Sequence, residues 1–189
     1  LEYIENTVNA VRASDLLRSY LVNGMTENEA EQVQQEFYHV TNINDSPNQG
    51  EEGDPVVDKV YLLRSQEEYI QDSYYALVAG EEEADIRIMQ NVWSVYQETR
   101  SESIGFDTYF YTEQDALYLA CPVLDDTMTE IGSLIFRIDP GVIAQIMQQM
   151  DGYQDSFWIM YTEKGKVIEA YPEDFASRET SWKKHAQPE

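Results

Sequence analysis

The chain has 189 residues, room for one ordinary domain or for one domain and part of another. With 36 acidic against 12 basic side chains its formal net charge is -24, a field that repels nucleic acid and anionic membrane surface. Hydrophobic residues at 42% permit a real core, no apolar run approaches the roughly 20 residues of a membrane span, and the single cysteine, Cys121, excludes an intrachain disulfide and a Cys-based zinc site.

The chain opens on Leu1-Glu2-Tyr3-Ile4-Glu5, already helical in pattern, with no initiator Met and no signal peptide. The expectation is that membrane anchors flank it outside these residues. Residues 1–23 are predicted as helix, with Ile4, Val8 and Val11 at helical spacing and Leu17 and Leu21 resuming it after a polar break at Ser14-Asp15. Gly24 suits the C-terminal cap. Thr26 with Glu29 three residues on forms a capping box, and Ala30, Val33, Phe37 and Val40 make the stripe of a second helix. Residues 42–55 are loop in composition. Strands are predicted over 56–63 and 68–70. Glu81-Glu82-Glu83 then lead into a helix over 84–98 with acids at its positive end. Its apolar positions, including Ile86, Met89, Val92, Trp93 and Tyr96, cover more than half its circumference, so it should be largely buried.

Residues 105–138 give the clearest signal. Strands over 106–111, 116–124 and 131–138 are separated by turns over 112–115 and 125–130. Connections this short require an antiparallel meander, since a parallel pair needs a crossover of about a dozen residues. Asp139-Pro140 opens another helix, with Asp as N-cap and Pro at the first helical position, and Gly152 closes it. Residues 157–161 and 166–171 form a hairpin, and 173–189 read as a polar tail. The whole is α+β: a central antiparallel sheet of about five strands, a long N-terminal helix and flanking helices.

Catalytic chemistry finds no support. The two histidines, His39 and His185, fall away from the meander. No glycine pattern surrounds a serine, and no phosphate loop is present. The acidic groups Glu51-Glu52 with Asp54, Glu81-Glu82-Glu83 and Asp125-Asp126 lack calcium-loop spacing. No enzyme, cofactor or metal is expected. Cys121, mid-strand, reads as a small buried residue.

The aromatics, with 14 Tyr and 3 Trp, carry more information. Tyr109 and Tyr111 lie on one face of their strand; Tyr118, Ala120 and Pro122 share a face of the next. Trp93 and Tyr96 stand three residues apart on the preceding helix. A tyrosine offers an apolar ring and a hydroxyl that donates or accepts, which suits a face that cups a small molecule. Trp93, Tyr96, Tyr109, Tyr111 and Tyr118 are the candidate ligand-binding residues. A concave cavity walled by them favours a small-molecule sensor; a flat exposed aromatic patch favours the alternative, an exported protein-interaction domain without such a pocket.

Strand pair, helix and three-strand meander after a long helix resemble the layout of extracellular Cache sensor domains, which are PAS-like. The residues that carry the resemblance are Cys121-Pro122-Val123 before the acidic turn Asp125-Asp126, then Ile131-Gly132, and Ile138-Asp139 before a helix. The stretch Val57-Asp58-Lys59-Val60-Tyr61-Leu62-Leu63 is similar to the family's first sheet strand. The resemblance covers residues 1–150, taken as the sensor module with its signalling helix. Residues 151–189 are taken as the opening hairpin of a partial second module plus the tail. It implies a bacterial membrane receptor, such as a sensor histidine kinase, a diguanylate cyclase or a chemoreceptor. The sensing domain would lie outside the cytoplasm and bind a small molecule. Independently of the resemblance, Ile4, Val8 and Val11 are expected to lie beyond the reach of a compact sheet and to be covered by a partner helix, in a homodimer through residues 1–23. In the amino-acid-sensing subfamily an Arg is followed closely by Trp-Tyr; here Arg87 precedes Trp93 by six residues and Trp93 is separated from Tyr96, so this spacing does not point to an amino acid.

Overall fold

The computed structural model describes residues 2–42, 57–73, 83–100, 109–113, 116–139, 141, 158–161 and 167–171. The predicted N-terminal helix is two helices, α1 (Glu2–Ala13) and α2 (Asp15–Asn23). Ser14 takes extended backbone angles, φ -83° and ψ 113°, and its hydroxyl accepts from the Leu17 N–H. A serine that caps a new helix ends the old one, which is why the polar break reads as a boundary. Gly24, at φ +79°, returns its N–H to the Tyr20 carbonyl and ends α2 as expected. The capping box is present as well: the Glu29 carboxylate accepts from the Thr26 N–H and hydroxyl, at 3.3 and 2.7 Å. Residues 27–29 form turns, and α3 spans Ala30–Asn42.

Five strands form one antiparallel sheet, β1 (Val57–Leu63), β2 (Tyr69–Ser73), β3 (Tyr109–Glu113), β4 (Ala116–Leu124) and β5 (Glu130–Ile138), in the order β2-β1-β5-β4-β3. The meander β3-β4-β5 is sequential and antiparallel, as predicted. The helix α4 (Glu83–Arg100) joins β2 to β3 in sequence. A separate pair, β6 (Trp158–Tyr161) and β7 (Val167–Tyr171), makes the predicted hairpin. The expected loop over 42–55 and helix after Asp139 lie almost wholly outside the described residues; within them, Asp139 Oδ1 accepts the Gly141 N–H at 2.7 Å.

Strand alternation gives the sheet two faces. One carries Val60, Leu62, Ile70, Leu117, Leu119, Cys121, Val123, Leu134, Phe136 and Ile138, packed against Val11, Leu17, Tyr20, Leu21, Val33, Phe37 and Val40 of α1–α3. On that face α1 lies over β4, α2 over β5 and α3 over β2. Val11 is fully buried, and Ile4 and Val8, expected to lie beyond the reach of the sheet, are half-buried against the same core of helices and sheet. The opposite face carries Tyr61, Leu63, Tyr118, Ala120 and Ile135 beneath Met89, Val92 and Tyr96 of α4.

Candidate functional site

The α4-side face is built in ranks, because residues opposite one another in an antiparallel ladder share a face. One rank crosses Tyr69, Leu63, Ser133 and Pro122; the next crosses Gln71, Tyr61, Ile135, Ala120 and Tyr109; the third crosses Ser73, Lys59, Arg137, Tyr118 and Tyr111. The first two ranks are largely apolar and the third is polar and aromatic.

Helix α4 lies over β4 and β3, and its side chains fix its place at the first rank. Gln90 Nε2 donates to the Gln66 carbonyl in the β1–β2 turn at 3.1 Å. Gln97 Nε2 donates to Glu130 Oε1 and to Ser133 Oγ, each at 3.4 Å, and the Ser133 hydroxyl donates to Glu130 Oε1 at 3.0 Å. Both amide anchors sit at the turn end of the sheet, away from the third rank. Beside the first of them opens a cleft of about 360 Å³ lined by Gln66, Arg87, Ile88, Gln90 and Asn91.

Of the five candidate residues, Trp93, Tyr96 and Tyr118 share one packed layer. Tyr96 and Tyr118 are each 1% exposed and belong to the closed packing between α4 and the sheet, with Trp93 partly buried at its margin. Tyr109 and Tyr111 are opposite Ala120 and Tyr118 in the β3–β4 backbone register. None of the five lines the 360 Å³ cleft. Cys121 points to the other face; it is buried and free, and burial pushes its thiol up to about 12, which leaves it a packing residue.

Sequence reasoning missed the charged end of this face. The β1–β5 register slips between Val57 and Lys59, so Asp58 is the extra residue of a bulge. Its Oδ2 stands 3.5 Å from Arg137 Nη1, with the two side chains 18% and 27% exposed. Burial holds the Asp58 carboxyl above the usual carboxylate range; Arg137, Lys59 and its own backbone N–H pull it down, and Asp139 adds to the rise. Nothing in the pattern Val57-Asp58-Lys59 signals a bulge. It becomes visible only when β5 is laid beside β1. Among the described residues no three His, Cys, Asp or Glu side chains gather as metal ligands, and no helix is long and apolar enough to cross a membrane.

No family model matches the sequence, nor does any curated protein. Solved structures do match in fold. The sensory domain of the Campylobacter jejuni chemoreceptor Tlp3 with isoleucine bound superposes with a TM-score of 0.58 at 11% identity, over 95% of this chain and 65% of that one. The ligand-binding domain of the same chemoreceptor in complex with L-valine gives 0.56 at 13% identity, over the same shares. The chain has the fold of a chemoreceptor sensory domain. Its α+β architecture, with a five-stranded antiparallel sheet and four helices among the described residues, is the PAS-like arrangement expected from the sequence. It spans 65% of the length of each of those chains.

Proposed function

We propose that this chain is the ligand-sensing domain of a bacterial signal-transduction receptor and has no catalytic activity of its own. The observation that carries the reading is the division of the sheet. One face is given wholly to the N-terminal helices, and the other pairs α4 with an aromatic layer of a different kind. The likeness to chemoreceptor sensory domains supports it, and the small ligands of those proteins, isoleucine and L-valine, support a small-molecule ligand here. On this reading the ligand lies on the α4 side. Trp93, Tyr109 and Tyr111 meet it first, and Tyr96 and Tyr118 form the floor. Ligand contact shifts α4 against the sheet, and the sheet passes the shift to α1–α3.

The receptor is anchored in the cell membrane by segments outside this chain, with this domain outside the cytoplasm, and acts as a homodimer through its N-terminal helix. A histidine kinase, a diguanylate cyclase or a chemoreceptor output fits equally. The β6–β7 hairpin opens a partial second module after the first, which ends near residue 150. Burial of Tyr96 and Tyr118 weighs against the exported interaction domain, since that reading needs them in an exposed patch.

The test is a thermal-shift screen of the 189-residue chain against amino acids, organic acids, amines, purines and sugars. At a hundred-fold excess over Kd a bound ligand adds about 2.7 kcal/mol of stability, well within detection. The expected result is a raised melting temperature with at least one member, lost in Trp93→Ala and Tyr111→Ala. No shift with any member would overturn the sensor reading.

A further inference from the structure

The α4-side face offers two buried hydrogen-bond acceptors that the fold does not use. Asp58 Oδ1 is shut off from solvent and accepts no hydrogen bond. Its other oxygen stands 3.5 Å from Arg137 Nη1, beyond the roughly 2.7–2.9 Å of a charge-assisted bond, so the ion pair leaves Oδ1 without a donor. Gln71 Oε1 is in the same condition, and Gln71 shares this face because it pairs with Tyr61. Strand geometry sets the two residues roughly 10 Å apart. A buried acceptor without a donor is a standing penalty, and most buried polar groups avoid it.

Among the described residues the charges around Asp58 are Arg137, Lys59 and Asp139. The net charge of -24 draws cations to the domain from a distance, and Asp58 gives them a place to dock. In the β4–β5 ladder Tyr118 stands opposite Arg137, the ion-pair partner of Asp58.

We propose that Asp58, with Gln71 as a second acceptor, receives the N–H groups of a small organic cation, a primary amine or a guanidinium, on the α4-side face. The inference rests on the sensor reading and names the chemical class of its ligand. It requires donated hydrogen bonds, so charge alone does not suffice: a quaternary ammonium of the same charge has no N–H to offer.

Calorimetric titration of the whole chain with putrescine, n-butylamine and tetramethylammonium tests it. Putrescine should bind, butylamine more weakly, and tetramethylammonium not measurably. Asp58→Asn keeps the shape and removes the charge, and should weaken both amines roughly tenfold or more. Gln71→Leu, on an edge strand, should weaken putrescine severalfold and leave butylamine unchanged, which keeps the proposal open to refutation should Asp58→Asn not fold. Equal binding of putrescine and tetramethylammonium would overturn it, as would wild-type amine binding in both variants. A ligand of other chemistry that raises the melting temperature and ignores Asp58→Asn would sink this assignment and leave the sensor reading standing. Failure of the entire thermal-shift panel would sink both.

Discussion

Gly132 shows how one residue decides whether the first layer can form. A Cβ there would stand 2.5 Å from Leu21 Cδ2 and 2.8 Å from the Leu63 carbonyl oxygen. The second contact is backbone of the neighbouring strand, which cannot give way, so α2 rests on β5 only because this position has no side chain. Gly132→Ala should lose about 1–3 kcal/mol, seen as a lower urea midpoint with an unchanged slope; adding Leu21→Ala should relieve only the side-chain part of the clash. The glycine was legible in the sequence as part of Ile131-Gly132, but its reason was not, because Leu21 lies 111 residues away. Asp125 is the opposite case, a turn residue whose hydrogen bonds are all local. It accepts from the Thr127 N–H at 2.8 Å, the Thr127 hydroxyl at 2.7 Å and the Thr129 N–H at 2.9 Å. The Thr127 hydroxyl and the Thr129 amide hold its carboxyl below the usual range, with Arg18 adding to the pull. A depressed carboxylate contributes stability that is present above its unfolded pKa and is lost as pH falls through the folded one. Asp125→Asn should therefore lower the melting temperature at pH 7, and the gap to wild type should close on acidification below the ordinary carboxylate range. A gap that stays constant to low pH would show that geometry, not charge, holds the turn.

At the scale of elements, the local signals were reliable and the reaches between elements were not. The capping box at Thr26 and Glu29, the glycine after α2 and the short meander turns depend on neighbours within a few residues, so the sequence displays them. The split at Ser14 was visible as a polar break; that it ends one helix and caps another needed the backbone angles. Arg64 was invisible. Its guanidinium donates from Nε to the Leu21 carbonyl and from Nη2 to the Val22 carbonyl, both at 3.3 Å, and pairs through Nη1 with Glu68 at 2.6 Å. It thereby ties the C-terminal end of α2, where carbonyls lack helical partners, to the β1–β2 turn. Gly24 makes room for it: a Cβ there would meet Arg64 Nη1 at 3.0 Å and Glu68 Oε1 at 2.7 Å. Arg64→Ala should lose about 1 kcal/mol, discounted because the side chain is 35% exposed, and should speed amide exchange in the last turn of α2 before that of α3. Arg64→Lys should recover little of it, since an ammonium cannot fork between two carbonyls and a carboxylate. Wild-type exchange at the end of α2 in Arg64→Ala would show that Gly24 alone secures the helix end.

For the whole molecule, what the sequence could not show was adjacency. β1 lies beside β5, across some seventy residues, and that pairing creates both the bulge at Asp58 and the third rank in which Arg137 meets Tyr118. That Trp93 and Tyr96 share a helix face was legible because helical spacing is a local rule; how tightly Tyr96 and Tyr118 are buried between α4 and the sheet was not. The two cores share one sheet. Tyr61 and Leu63 point to α4 while Val60 and Leu62, between and beside them, point to α1–α3, and every one of them is at most 3% exposed. Close-packed interiors transmit displacement, so a change on the α4 side has no slack to absorb it before it reaches the other face. Met89, fully buried on α4 and remote from α1–α3, is the place to test this. Met89→Ala removes contacts only in the smaller core and should lose about 2 kcal/mol or more. If the two layers form one cooperative unit, the slowest-exchanging amides of α2, α3 and the central strands should accelerate together with those of α4, by roughly thirtyfold for 2 kcal/mol. If α4 alone accelerates while α2 and α3 keep wild-type protection, the faces are energetically separate, and the relay proposed above would have no route through the sheet to the N-terminal helices.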